Sequence, residues 1–304
     1  MSKKRQFGFT LIEILVVLVV ISVLIGLLFP ALRGSVIRAK KTSELNKIRQ
    51  VGAAWAMYSV SNLDRLLPGH LTTRIQERWD VAWAYPDESL VPPAPFYELE
   101  DPNIAGPWPW RILDRMNYSW DLLIDYKPRT WNDMQVTDHA EEIATQPAFG
   151  YNGYYLGGFW ETDGHFHTPR LKYSKVVLQH GQVESVVARV ASQIPIPSKM
   201  VTFCSSFYAQ IGEHRHLEDD IDGFNLAVPR ILAEVSQWEP LDDGVEVFED
   251  TSPPLGRYNG LPAIFFADGH VDDVRIDELA DQSMWIPTAK DMGNTPAFDF
   301  SHSE

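Results

Sequence analysis

Cysteine is almost absent from this 304-residue chain, since Cys204 stands alone and no disulfide can form within it. A single cysteine is compatible with both reducing and oxidising compartments. Basic residues are also scarce: 26 Lys and Arg face 41 Asp and Glu, which gives a formal charge of −15. Such a surface repels phosphate backbones, so we expect no binding of nucleic acid by the folded part of the chain.

Sequence motifs of common enzymes are missing as well. The chain has no HExxH, Walker A, GxSxG or CxxC pattern, no repeat of fixed long period and no low-complexity linker. Its composition, 45% hydrophobic and 22% charged, is ordinary for a folded protein. The length allows one large or two small domains with a real core.

One long apolar run is present, from Phe9 to Phe29. As a helix its 21 residues would be about 31 Å long, enough to cross a bilayer core of roughly 30 Å. A secretory signal peptide fits poorly, because the run is too long and no small-x-small cleavage site follows it. Length alone leaves an ordinary signal anchor open. Four residues of the run are not large and apolar: Thr10, Glu13, Ser22 and Gly26.

The residues around the start of this run carry a specific pattern. The stretch 3–17, KKRQFGFTLIEILVV, combines a basic leader, a Gly-Phe junction, Thr-Leu-Ile-Glu and an unbroken apolar run. Over about 25 residues it resembles the leader junction of type IV pilins and type II secretion pseudopilins. The resemblance implies that Gly8 is the last leader residue and that Phe9 becomes the N-methylated N-terminus. It also implies that Glu13 pairs, in a filament, with the amine of Phe9 on a neighbouring subunit, which fits the rule that buried charges are tolerable only when paired.

The same resemblance implies the organisation and location of the chain. It divides the sequence into a leader (1–8), the transmembrane half of a stem helix (9–29), its amphipathic half (30–62) and a β-rich head (63–304). Charge counting around the span does not choose a side, but the peptidase of this family works on the cytoplasmic face. We therefore expect a single-pass protein of the inner (cell) membrane with a periplasmic or extracellular head. The partners implied are a prepilin peptidase, other pilin or pseudopilin subunits and inner-membrane lipid.

Beyond the apolar run, the spacing of apolar residues predicts that the helix continues to about Asn62, before Pro68-Gly69. Pro30 either kinks this helix or marks the end of the membrane span. The stripe consists of Ile37, Leu45, Ile48, Val51, Trp55 and Tyr58. Short β-branched or aromatic runs separated by Gly- and Asp-rich turns follow, and predict strands. They span 149–159, 171–178, 183–190, 200–207 and 263–266. The fold class predicted is α+β, a long N-terminal stem helix packed on an antiparallel sheet with a large irregular insertion.

The insertion, residues 79–131, is rich in tryptophan and proline. Proline at this density excludes long elements, apart from one short helix expected around Trp110 to Tyr126. The tryptophans either staple the insertion to the core or stack on sugars, and the structural role is favoured. The six are Trp79, Trp83, Trp108, Trp110, Trp120 and Trp131.

Near the C-terminus, residues 259–271 read NGLPAIFFADGHV. This stretch resembles the closing motif of the H-X9-DG group of pilin-like proteins, in which a His precedes Asp-Gly by nine residues. Asp268-Gly269 matches, whereas Tyr258 replaces the His, which puts any role of that His in doubt. From the residues themselves, 263–267 is a buried strand and Asp268-Gly269 the turn of a hairpin.

Histidine pairs and acidic loops offer alternative functions. His165 with His167, and His214 with His216, are candidate metal ligands. The acidic stretches 218–222 and 242–250 invite calcium, although neither has EF-hand spacing. A structural reading is favoured, so no catalytic residue, metal or cofactor is assigned. The alternative function is a membrane-anchored metal-dependent hydrolase or glycan-binding head that uses the pilin leader for targeting.

Overall fold

A computed structural model gives the architecture of the chain. It describes residues 11–69, 107–125, 139–162, 169–172, 176–177, 183–184, 187–206, 223–227, 231–232, 235–236, 256–258, 260–287 and 289. The chain divides into two compact units, residues 1–43 and 44–304, and each is described by itself.

Helix α1, Leu11–Ser61, is 51 residues long and contributes to both units. The backbone remains helical through Pro30, so this proline does not end the helix. Within the first unit the side chains from Leu32 to Lys40 are exposed. Ile37, predicted to join the buried stripe, is one of these at 40% exposure.

Within the second unit, the rest of α1 is amphipathic as predicted. Ile48, Val51, Trp55 and Tyr58 recur every three or four residues and are buried, with Leu45 packed at their edge. That spacing places them on one face of the helix. This face forms part of the main hydrophobic core of the head.

Helix α1 ends by a left-handed turn instead of at proline or glycine. Leu63 and Asp64 both have positive φ, 56° and 67°. After this turn the chain contacts a segment that is distant in sequence. The Leu66 N–H donates to the Arg189 carbonyl at 2.9 Å. The helix therefore stops seven residues before Pro68.

The main sheet has four antiparallel strands: β1 (Phe149–Tyr151), β6 (Val201–Ser205), β9 (Ala263–Phe266) and β10 (Val271–Asp273). They lie side by side in the order β1-β6-β9-β10. The register pairs Gly150 with Cys204, Phe203 with Phe265, and Val271 with Phe265. A bulge between Val201 and Phe203 shifts the register of β6 against β9.

Both faces of strand β9 are buried. Ala263 and Phe265 belong to the core that contains α1, whereas Ile264 and Phe266 belong to a second core. The second core also holds Leu226, Leu279 and Trp285 among others. A strand covered on both faces needs apolar residues at every position, which explains the unbroken sequence AIFF.

Short two-stranded ladders account for the remaining described strands, and the sequence analysis did not predict the one formed by residues 231–236. The chain turns at Asn152–Tyr155, so the predicted strand 149–159 is two separate strands. The other pairs are antiparallel. They are β2 (Phe159–Thr162) with β3 (Pro169–Lys172), β4 (Val176–Val177) with β5 (Val183–Glu184), and β7 (Ile231–Leu232) with β8 (Val235–Ser236).

The prediction of one continuous helix around residues 110–126 is wrong. Two residues with positive φ, Asn117 (52°) and Tyr118 (56°), interrupt it, since right-handed helix requires negative φ. The segment forms three short pieces: α2 (Pro109–Ile112) and the 3₁₀ turns Asp114–Met116 and Trp120–Leu122. Other short helices are α3 (Ala140–Thr145) and the 3₁₀ turns Ala191–Gln193, Glu278–Ala280 and Gln282–Met284.

Candidate functional site

The predicted cleavage site, Gly8 and Phe9, lies outside the described residues. Glu13, the predicted assembly residue, occupies the first turn of α1 and is exposed. A carboxylate there is favoured by the partial positive charge of the helix N-terminus. The structure thus places a negative charge in the first turn of the described helix, four residues along the sequence from the predicted new N-terminus.

The apolar run around Glu13 is uncovered. Fifteen large apolar side chains between Leu11 and Leu28 are 45–84% exposed. Leaving them in water would cost on the order of 10 kcal/mol or more, comparable to the whole stability of a domain. Among the described residues, α1 is the one helix whose length and composition would let it cross a membrane.

Ser22, the other polar residue of the described run, forms a hydrogen bond within the helix. Ser22 Oγ donates to the Leu18 carbonyl at 2.7 Å, one helical turn back. A hydroxyl bonded in this way adds little cost in an apolar environment. Glu13 differs in carrying a full charge, which makes it the residue of the run that requires a specific environment.

In the head, a buried polar cluster joins α1 to the sheet. Glu44 on α1 has no exposed surface, and the hydroxyl of Ser205 on β6 donates to it at 2.7 Å. The guanidinium of Arg257, 6% exposed, lies 3.5 Å from the same carboxylate oxygen. Arg257 also donates to the carbonyls of Ala148, at 3.0 Å, and Ser206, at 2.6 Å. The arginine thus ties the helix to both β1 and β6 through one side chain.

Sequence reasoning missed this cluster, although one signal was available. Glu44 precedes Ile48, Val51 and Trp55 by four, seven and eleven residues, which places it on the buried stripe of α1. An acid on that stripe predicts a buried partner. Ser205 and Arg257 carry no comparable local signal.

Tyr258, which stands at the His position of the H-X9-DG motif, contacts the end of the aromatic segment 107–125. Its hydroxyl donates to the Asp125 carboxylate at 2.5 Å. Burial raises the pKa of Tyr258, and the nearby Asp125 carboxylate raises it further, so the phenol stays a donor at neutral pH. The contact fixes the end of the aromatic segment 107–125 to the segment before β9.

The Asp268-Gly269 turn forms the hairpin that the sequence predicts. Gly269 has φ +96°, a conformation that favours glycine, and the hairpin joins β9 to β10. The ring of His270 stacks on Phe266 with centroids 4.2 Å apart, and its Nδ1 lies 2.5 Å from Asp268. Burial alone would raise the pKa of Asp268, but hydrogen bonds from the His270 backbone and ring outweigh it and lower that pKa. These contacts hold the turn itself; membership of the H-X9-DG group stays a prediction.

Three of the six tryptophans of the insertion lie in described residues, and all three are core residues. Trp108, Trp110 and Trp120 are 0–1% exposed. Trp108 meets Phe203 edge-on at 4.9 Å and donates its indole N–H to the Asn225 carbonyl at 2.6 Å. A ring enclosed in this way presents no face to a sugar. These tryptophans anchor the described part of the insertion to the core.

The candidate metal ligands cannot be placed in the same way. His165, His167, His214 and His216 lie outside the described residues, as do the acidic stretches 218–222 and 242–250. Within the part of the chain that the structure describes, no three His, Cys, Asp or Glu side chains converge as a metal site.

Comparison with known proteins finds similarity over part of the chain. Residues 3–29 match the family described as the prokaryotic N-terminal methylation motif. Over 62 residues, 20% of this chain, the sequence is 39% identical to the type II secretion system core protein G of Pseudomonas aeruginosa. It is 37% identical over 62 residues to the protein of the same name from Aeromonas hydrophila. No solved structure matches the chain.

In its methylation motif, its apolar N-terminal helix and its α+β fold, the chain is similar to pilin-like proteins. Its two relatives named above are components of the type II secretion system, as their names state. The matched region covers 44% and 43% of those relatives, less than half their length.

Proposed function

We propose that this protein is a pseudopilin subunit that assembles through its N-terminal helix into a type II secretion pseudopilus or a related fibre. Prepilin peptidase would cut between Gly8 and Phe9 and methylate the new amine. The stem would anchor the subunit in the inner membrane until assembly, with the head on the periplasmic or extracellular side. The role is structural, without a catalytic residue or cofactor.

The observation that carries this proposal is the conjunction of a methylation motif with an uncovered apolar helix. The motif covers 3–29, and the exposed side chains run through the same segment. Lipid covers such a helix in the membrane, and sister helices would cover it in a fibre. A single surface that is stable in both settings suits a subunit that moves from one to the other.

Glu13 supports the assembly step specifically. Once the leader is removed, the chain starts with a positive amine four residues before this carboxylate. In a fibre core of low polarity, each of these charges needs a partner of the opposite sign. Pairing Glu13 of one subunit with Phe9 of the next would satisfy both and would set the register between subunits.

The first test is the mature N-terminus. We expect protein purified from membranes that contain prepilin peptidase to start at N-methylated Phe9 when analysed by mass spectrometry. Gly8 is the residue that the cleavage depends on, so a Gly8→Val variant should keep its leader and start at or near Met1.

Two other outcomes would refute the processing step. A wild-type start at Met1, with a working peptidase shown on a control substrate, would leave a plain signal anchor. A start beyond Phe29 would mean that the apolar helix is discarded, and function would then reside in the head alone.

A further inference from the structure

The first unit carries a concentration of positive charge just beyond its apolar run. Arg33, Arg38, Lys40 and Lys41 lie within twelve residues of Phe29, and we name them the basic collar. Along the helix they fall within an arc of roughly 160°. Arg33, Arg38 and Lys40 are exposed, whereas Lys41 is buried and can contribute only its charge.

The rest of the molecule has the opposite charge. The leader and the basic collar contain seven of the 26 basic residues, and Glu13 is the only one of the 41 acids before residue 44. Residues 44–304 therefore hold 19 basic and 40 acidic residues, a formal charge of −21. Exposed carboxylates of the described head include Asp272, Asp273 and Asp277. One chain thus carries two surfaces of complementary charge.

Removal of the leader would change the balance of charge around the membrane span. This step rests on the proposed function, which places residues after Phe29 outside the cytoplasm. During insertion Lys3, Lys4 and Arg5 on the inner side would balance the collar, and charge would not choose the orientation. Cleavage would remove these three residues, so the basic residues next to the span of the mature chain would all lie on the outer side.

Lipid headgroups are too close to the span to account for the whole collar. The polar layer extends about 5–8 Å beyond the hydrocarbon core. At ~1.5 Å per residue, Arg33 lies about 6 Å past Phe29, whereas Arg38 and Lys40 lie about 14 and 17 Å past it. When the helix is upright in the membrane, Arg38 and Lys40 therefore lie beyond the headgroup layer. At that height another protein surface can contact them.

We propose that the basic collar is the docking site for the acidic head of a second copy of this chain. Two different complementary surfaces on one chain make a heterologous contact, which repeats into an open helical fibre instead of closing as a dimer. Charge attraction would also guide an incoming subunit to its position before the apolar helices pack.

The test compares full-length mature protein in vesicles of phosphatidylcholine with vesicles that also contain phosphatidylglycerol. Self-association is followed by energy transfer between C-terminal fluorescent fusions, at roughly 50 mM and 500 mM salt. The variant Arg38→Glu/Lys40→Glu reverses the outer collar while keeping good helix formers. The matched control, Arg65→Glu/Arg189→Glu, makes the same charge change on exposed head residues away from the exposed carboxylates named above.

We expect the collar variant to weaken self-association by about tenfold in both lipids, and to lose the salt dependence of the wild type. The head control should stay within about twofold of the wild type. Equal behaviour of the two variants would overturn the inference. A collar effect confined to phosphatidylglycerol vesicles would also overturn it, and would assign the collar to lipid headgroups.

A third variant separates this inference from the proposed function. If Glu13→Ala abolishes association while the collar variant does not, the assembly proposal stands and the collar inference fails. If wild-type protein starts at Met1 and none of the variants changes association, both fail.

Discussion

The carboxylate of Glu44 shows how a single buried charge organises the head. Its partners, Ser205 and Arg257, come from two later segments of the chain. Moving a charge out of water is costly, so this site is stable only with all three groups in place. Removing one charged group while the other stays buried should therefore cost more stability than removing both.

Replacing Arg257 should be strongly destabilising for this reason. We expect Arg257→Leu to lower the free energy of unfolding by about 3–5 kcal/mol, because it leaves the Glu44 carboxylate buried without its cation. Urea unfolding of the detergent-solubilised mature protein, followed by tryptophan fluorescence, measures the change.

A double substitution and a surface control make this prediction specific. Glu44→Gln/Arg257→Leu should be more stable than Arg257→Leu alone, since the neutral amide still accepts from Ser205. Arg275, whose side chain is 63% exposed, should tolerate leucine within about 0.5 kcal/mol. A double variant no more stable than the single one would show that the charge of Glu44 is not the cause.

At the scale of elements, α1 and β9 approach each other closely at Gly52. A Cβ placed on Gly52 would lie 2.2 Å from Cε2 of the Phe265 ring. That ring is itself held edge-on by Trp55 at 6.3 Å. Only glycine lets the helix and the strand approach this closely.

Gly52→Ala should therefore destabilise the head, by about 1–3 kcal/mol, because helix or ring must move to admit the methyl group. The matched control is Gly34→Ala on the same helix, where nothing lies within 4 Å of the added Cβ. Alanine there should be neutral or favour the helix by roughly 0.5–1 kcal/mol. Thermal unfolding of both variants checks the pair, and equal melting temperatures would rule out the close approach.

At the scale of the whole molecule, the proposed fibre depends on the apolar run of α1 and on Glu13 within it. We expect Glu13→Ala and Glu13→Gln to lose at least tenfold in fibre yield, since either leaves the Phe9 amine of a neighbour buried without a counter-charge. Fibre yield is measured by sedimentation of sheared material, and processing by mass spectrometry.

Ser22→Ala is the control for the Glu13 variants. It also removes a polar group from the apolar run, but one whose hydrogen bond to Leu18 is internal to the helix. It should assemble like the wild type. Equal losses in Ser22→Ala and Glu13→Ala would trace the effect to helix packing and not to charge pairing.

The α+β class, the long helix and the Asp268-Gly269 hairpin were predictable from the sequence because each depends on local chemistry. A 21-residue apolar run needs no distant partner to be recognised, and Asp-Gly after a strand sets its own turn. The stripe Ile48, Val51, Trp55 identified the buried face of α1 for the same reason. The methylation motif is local too, and its match over 3–29 confirms that prediction.

Only the tertiary structure decided which distant groups meet. The contact between Glu44 and Ser205 joins residues 161 positions apart, and no local pattern specifies it. The left-handed pair at Asn117 and Tyr118 broke a helix that residue preferences favoured, because packing overrides weak local propensity. Local sequence therefore determined the long apolar helix, its buried stripe and the hairpin, whereas long-range packing determined the buried ion pair and the course of the aromatic insertion.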